Sequence, residues 1–200
     1  MKPLFRRFFI SLFILAAAHL SLQAQPKTAT ALFAGGCFWC MTPPFEKLKG
    51  VLKVTAGYAD GTGENPTYDD YADRGFTESV EILYDPSQIT YAQLVDVFWK
   101  QINPTDEQGQ FVDRGPQYRA AIFYFNDFQR KTAEKSKAAL GKSGRYDQPI
   151  LTPIQKFTNF YPAEDYHQDF YKKNPLHYDL YHANSGRDQY LDQVWGKGDH

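Results

Sequence analysis

Thr28-Ala29-Thr30-Ala31-Leu32-Phe33-Ala34-Gly35-Gly36-Cys37-Phe38-Trp39-Cys40 is an apolar run that meets two glycines and then a pair of thiols. The run from Thr28 to Ala34 predicts a buried strand, and Phe38 to Leu48 predicts a helix. Pro43-Pro44 are placed near the helix beginning, where a missing N–H does least damage. Gly35 and Gly36 permit a tight turn and a close backbone approach. Cys37 then stands at a helix start, where unpaired N–H groups and the positive dipole end are expected to lower its pKa below the free value of ~8.5. Two large aromatics between the thiols suit the wall of an apolar pocket better than a plain turn.

Cys37 and Cys40 are the two cysteines of the chain. A bridge over so short a loop removes little unfolded-chain entropy, so a structural staple is the weaker reading and a chemical role the stronger.

The N-terminus carries Lys2, Arg6 and Arg7 ahead of an apolar stretch from Phe8 to Ala18, with Leu22-Gln23-Ala24 as a small-residue cleavage point. This is the layout of a secretory signal peptide, expected over residues 1–24, and it predicts an exported protein, periplasmic or secreted. Ser11 and His19 interrupt the stretch, which is short for a membrane span. Removing it takes three of the 22 basic side chains and none of the 23 acidic ones, so the mature chain has a net charge of −4. No basic stripe survives, which argues against a nucleic-acid partner. Residues 25–200 are enough for a single domain with a substantial core.

Val51 to Tyr58 and Ser79 to Tyr84 read as strands, and Thr90 to Ile102 as an amphipathic helix with Leu94, Val97, Phe98 and Ile102 on one side. Asn103 to Pro116 is a long polar connection of the kind that often carries function. Arg119 to Phe125 is a strand, Asn126-Asp127 cap a helix to Leu140, and Ile150 to Phe157 is a further strand. Pro162 to Lys172 predicts a helix, with a loop-rich tail and short helical stretches around Tyr178 and Tyr190. Strands and helices mix without strict alternation, which points to the α+β class.

Period-two geometry puts Glu78 on the same strand face as Val80 and Ile82. On a core face its pKa would rise until it held a proton near neutrality; as a strand-end carboxylate it would be exposed, and alternation leaves both open. Tyr68 and Tyr118 sit at loop-to-element junctions, where their hydroxyls can donate to a substrate oxygen or simply pack.

Gly35-Gly36-Cys37-Phe38-Trp39, Asn65-Pro66-Thr67-Tyr68, Phe98-Trp99-Lys100-Gln101-Ile102-Asn103-Pro104, Asp113-Arg114-Gly115-Pro116-Gln117-Tyr118-Arg119 and Phe160-Tyr161-Pro162-Ala163-Glu164-Asp165-Tyr166-His167-Gln168 occur in that order. Together they resemble the type A peptide methionine sulfoxide reductases, from about Ala31 to Trp195. The resemblance implies a two-layer α+β sandwich around a mixed sheet, a ferredoxin-like core with additional helices and long C-terminal loops. It implies that Cys37 is the nucleophile and Glu78 the acid that protonates the sulfoxide oxygen. Phe38 and Trp39 would hold the substrate methyl group, Tyr68 and Tyr118 the oxygen, and Asp113 would be a polar residue of the site. The implied substrate is methionine-(S)-sulfoxide in oxidised proteins or free, with no bound cofactor, no metal and a thioredoxin-like reductant as electron donor.

Chemistry agrees with those roles, because a sulfoxide sulfur is a poor electrophile until its oxygen is protonated, so a thiolate must face a neutral acid. Attack would leave a sulfenic acid on Cys37, and Cys40, one helical turn away, is the thiol able to condense with it. Direct reduction by an outside thiol is the alternative. The chain departs from the family in reading Gly75-Phe76-Thr77-Glu78 where many members have Gly-His-x-Glu, and in lacking a distal C-terminal cysteine.

Four rival readings remain at this level. A thioredoxin-like dithiol oxidoreductase shares the Cys-x-x-Cys placement. A cysteine hydrolase would pair Cys37 with His167, and an aromatic-lined binding module would need neither thiol. A metal site would have two thiol ligands and no compelling zinc spacing among His177, His182 and His200. A monomer is expected.

Overall fold

The computed structural model describes residues 28–198, so the expected signal peptide lies outside the described residues. In chain order the elements are β1 (Ala29–Gly35), α1 (Phe38–Glu46), β2 (Val51–Ala59), β3 (Thr77–Tyr84), α2 (Tyr91–Trp99), β4 (Gly109–Gln110) and β5 (Asp113–Arg114). They continue with β6 (Ala120–Tyr124), α3 (Asp127–Gly141), β7 (Ile154–Lys156), β8 (Phe160–Pro162), α4 (Phe170–Lys173), α5 (Pro175–Asn184) and α6 (Arg187–Trp195).

Six strands form one sheet in the order β7-β6-β1-β3-β2-β8, and β4 pairs with β5 in a separate small hairpin. The β6–β7 pair is parallel and the other neighbours are antiparallel, which makes the sheet mixed. The inner four strands and α1 and α2 follow a β-α-β-β-α-β path with β1 and β3 in the middle, the ferredoxin-like arrangement. The fold is α+β.

Strand alternation sorts the sheet into two faces. Ala31, Phe33, Val80, Ile82 and Ile122 join the main core with Phe38, Phe45, Leu94 and Phe98 of the helices. Leu32, Ala34, Ala121 and Phe123 form a smaller cluster of their own. Phe33 stacks on Phe45 at 5.5 Å and Phe98 at 5.0 Å between ring centroids, locking β1 to both helices. Such pairs contribute about 0.5–1.5 kcal/mol each beyond area burial. Thr90 caps α2 in a complete capping box with Gln93, and the Asn126 side chain accepts from the Gln129 N–H at the start of α3.

Four local expectations differ from the structure, wholly or in part, for identifiable reasons. Pro43 and Pro44 lie in the second turn of α1 rather than at its beginning, so the Trp39 and Cys40 carbonyls lose their intrahelical donors and the helix stops at Glu46. The helix expected from Pro162 to Lys172 is instead the end of β8, a series of turns, and the short α4. Tyr161 pairs with Tyr58 on the β2 edge. The Gln168 amide then extends that edge by bonding both the N–H and the carbonyl of Ala56, and Asp169 at φ 54° keeps these turns from running straight into α4. The helical stretches expected around Tyr178 and Tyr190 are the helices α5 and α6, started by Pro175 and separated by Ser185 and Gly186, and they take up most of a tail otherwise read as loop-rich. Tyr and His carry the inward contacts of α5, which an aliphatic periodicity search passes over. β7 is also shorter than expected: Leu151 and Thr152 N–H groups go to the Pro104 carbonyl instead of a strand partner.

Candidate active site

Cys37 is the N-cap residue of α1, and its carbonyl accepts from the N–H groups of Cys40 at 3.1 Å and Met41 at 3.2 Å. Gly36 takes φ +81°, and a Cβ there would lie 2.7 Å from Gln110 Cβ, so a larger residue would push against the β4–β5 hairpin. Cys37 is 5% exposed and Cys40 1% exposed, and both are free thiols.

Glu78, 2% exposed, enters from the buried face of β3. The Phe38 N–H donates to its Oε2 at 2.9 Å and the Tyr71 hydroxyl donates to its Oε1 at 3.0 Å. The Tyr118 hydroxyl reaches Tyr71 in turn. Burial, then the negative charge available to Cys37, pushes the Glu78 carboxyl well above its ordinary value despite these two bonds.

A cavity of 150 Å³ is lined by Cys37, Phe38, Trp39, Tyr68, Glu78, Asp113, Tyr118 and Tyr181. Seven of these are the residues singled out from the sequence, drawn from α1, β3, β5 and two loops. Cys40 does not line the cavity; it sits behind Cys37 on the next turn.

Trp39 is fixed by its indole N–H donating to His167 Nδ1 at 3.1 Å and by a parallel stack on Phe170 at 3.7 Å. His167 is thereby an indole support with its pKa lowered by burial, not the partner of Cys37 that a hydrolase would require. Tyr68 is held by its N–H donating to Glu164 Oε1, while the Tyr58 hydroxyl donates to Glu164 Oε2.

The electrostatics reverse one expectation. Burial pushes the Cys37 thiol well up rather than down, with the neighbouring Cys40 adding to the effect. Burial outweighs whatever the helix start offers, and the first-turn N–H of Phe38 is given to the Glu78 carboxyl. Cys40 is lowered instead, through its hydrogen bond with Cys37 and the positive charge of Arg187.

Sequence reasoning missed three contributors. Tyr181 of α5 donates to Asp113 Oδ2 at 2.6 Å and is also hydrogen-bonded to Cys37. Tyr71 carries the Glu78 contact, and Arg187 of α6 lies buried behind the thiols. Tyr71 lies seven residues from Glu78 but outside the quoted motifs, and Tyr181 and Arg187 lie so far from the thiols in sequence that they give no signal before the fold is known. Among the described residues no group of three or more His, Cys, Asp or Glu is placed to hold a metal ion.

The family model for peptide methionine sulfoxide reductase matches residues 29–199. Peptide methionine sulfoxide reductase MsrA of Listeria innocua is 54% identical over 167 residues, covering 82% of this chain and 94% of the relative. The reduced form of Mxr1 from Saccharomyces cerevisiae superposes with a TM-score of 0.69 at 31% identity, over 74% of this chain and 87% of that one. The same yeast protein in complex with Trx2 gives a TM-score of 0.52 at 25% identity, over 76% and 91%.

Proposed function

Because the chain belongs to the peptide methionine sulfoxide reductase family, we propose that the cavity beside Cys37 receives the methyl sulfoxide group of an oxidised methionine and that Cys37, Glu78 and Cys40 reduce it. The enzyme is a thiol-dependent oxidoreductase that returns methionine sulfoxide to methionine. One observation carries the assignment of roles: the Cys37 thiol and a Glu78 carboxyl that burial raises well above its ordinary value line the same 150 Å³ cavity.

Glu78 passes its proton to the sulfoxide oxygen as the Cys37 sulfur attacks the substrate sulfur. The oxygen moves to Cys37, methionine leaves, and the proton released from the Cys37 thiol restores the carboxylic acid. The balance is one thiol and one sulfoxide giving one sulfenic acid and one thioether. Cys40 then attacks the sulfenic sulfur, the S–S bond forms, the S–O bond breaks, and water departs. Phe38 and Trp39 pack the methyl group, Tyr118 and Tyr68 hold the oxygen, and Asp113 acts through Tyr181. A sulfoxide is a stereocentre, so an acid wall, an aromatic wall and a thiol admit one epimer, assigned here as S.

A thioredoxin-type dithiol is the proposed reductant, supported by the Mxr1 complex with Trx2. A monomeric working unit without a bound cofactor is proposed, because the two thiols can themselves carry the two electrons of the reaction. Export is proposed on the basic and apolar N-terminal residues and is checked by the N-terminus of protein recovered from the envelope fraction.

Racemic methionine sulfoxide, added at two equivalents without reductant, is expected to remove two thiols per chain and consume a single epimer. In Cys40→Ser a single added oxygen is expected on Cys37 by mass spectrometry. Unchanged thiols and both epimers intact would overturn the reading.

A further inference from the structure

Arg187 is 1% exposed, yet it opens α6 close to the end of the chain. Its Nη2 donates to the Gly35 carbonyl at 3.0 Å, and its Nη1 donates to the Gln101 carbonyl and lies 3.7 Å from the Met41 sulfur. The guanidinium also sits 4.7 Å from the centre of the Phe111 ring. A Cβ on Gly36 would be 3.2 Å from Nη2. These contacts grip Gly35 and Met41, the two ends of the segment that carries Cys37 and Cys40. The bonds end on carbonyls, a thioether and a ring face rather than on a carboxylate, and Nε has no partner. A guanidinium buried without a paired anion is costly, unless an anion forms beside it during the reaction.

We propose that Arg187 is a positioning residue for the second half of the reaction: its buried charge holds the Cys40 sulfur as the anion that attacks the Cys37 sulfenic acid. The inference rests on the reductase reading given above. The groups facing Cys40 are mixed in sign. Asp113 of β5 and Asp188 of α6 oppose the anion, whereas Arg187 and the hydrogen bond from Cys37 favour it. Tyr178 and Tyr181 face it from α5, and both are kept neutral by burial. In the sequence as read, the helix dipole was to activate Cys37; Arg187 instead supplies a full charge to the other thiol. The division suits the chemistry, because the first step needs a protonated acid and the second a nucleophilic sulfur.

The test is a thiolate absorbance titration of Cys37→Ser, which leaves Cys40 as the one thiol. With Arg187 present, the Cys40 midpoint is expected below the free value of ~8.5. Adding Arg187→Met should raise it by about 1 pH unit or more, and Arg187→Lys should recover part of the shift. In protein with both thiols, Arg187→Met should release methionine in a single turnover at the normal rate but form the disulfide roughly tenfold more slowly at neutral pH. An equal midpoint in Arg187→Met overturns the assignment. If that variant does not fold, Arg187→Gln in the same background is read instead: an unchanged midpoint overturns the assignment and a raised one supports it. Failure to release methionine at all from the unsubstituted protein would overturn the reductase reading instead, so the two failures are distinct.

Discussion

The Phe38 N–H donates to the Glu78 carboxyl at 2.9 Å across forty residues of sequence, tying the acid to the first turn of the helix that begins beside Cys37. The bond fixes the Glu78 carboxyl against the residue next to Cys37, while burial keeps the thiol from being acidified by its place at the helix start.

Glu78→Gln preserves an acceptor for Phe38 and removes the transferable proton. A loss of about 10²–10⁴-fold in the rate of methionine formation is expected, with an unchanged circular dichroism spectrum. Simple disulfide exchange by the Cys37–Cys40 pair should persist. A variant within tenfold of the parent would remove Glu78 from the role of acid.

The same carboxyl makes stability depend on pH. Its folded pKa is raised by burial above the ordinary 4.5, so between the unfolded and folded values the native state holds more protons than the unfolded chain. Stability therefore falls as pH rises through that window, and the penalty is complete above the folded pKa. Glu78→Gln removes the penalty. Its gain in urea midpoint over the parent should grow from acidic to mildly alkaline pH, and a difference independent of pH would contradict the sign.

Much of this was legible in the sequence because it is local. The Gly35-Gly36-Cys37 junction, the alternation Glu78-Val80-Ile82 and the Asn126 cap each depend on neighbours within a few residues. Tyr181 with Asp113, and Trp39 with His167, depend on contacts 68 and 128 residues apart. Periodicity carries no information at that range. The Pro162–Lys172 error has the same origin: Gln168 serves the backbone of Ala56, and a side chain filling a sheet edge looks like any helix-forming residue until the edge is known.

Tyr181→Phe removes one hydroxyl that touches both Asp113 and Cys37. Asp113 is raised by burial and held back by this donor, and the same hydroxyl favours the Cys37 anion. Loss of a hydrogen bond to a charged group costs about 1.5–3 kcal/mol, which predicts a fall of at least roughly tenfold in kcat/KM. Rescue at higher pH, where the thiol ionises without that donor, would show that the effect runs through Cys37.

His167→Leu tests the aromatic wall apart from the chemistry. The indole N–H of Trp39 loses its acceptor while the stack on Phe170 at 3.7 Å persists, so the ring should stay in place but turn more freely. Loss of one neutral hydrogen bond costs about 1 kcal/mol. The expected result is a KM for methionine sulfoxide raised about fivefold, with kcat close to the parent. Because His167 Nδ1 accepts from Trp39, a large fall in kcat with unchanged KM would mean the imidazole takes part in proton transfer after all.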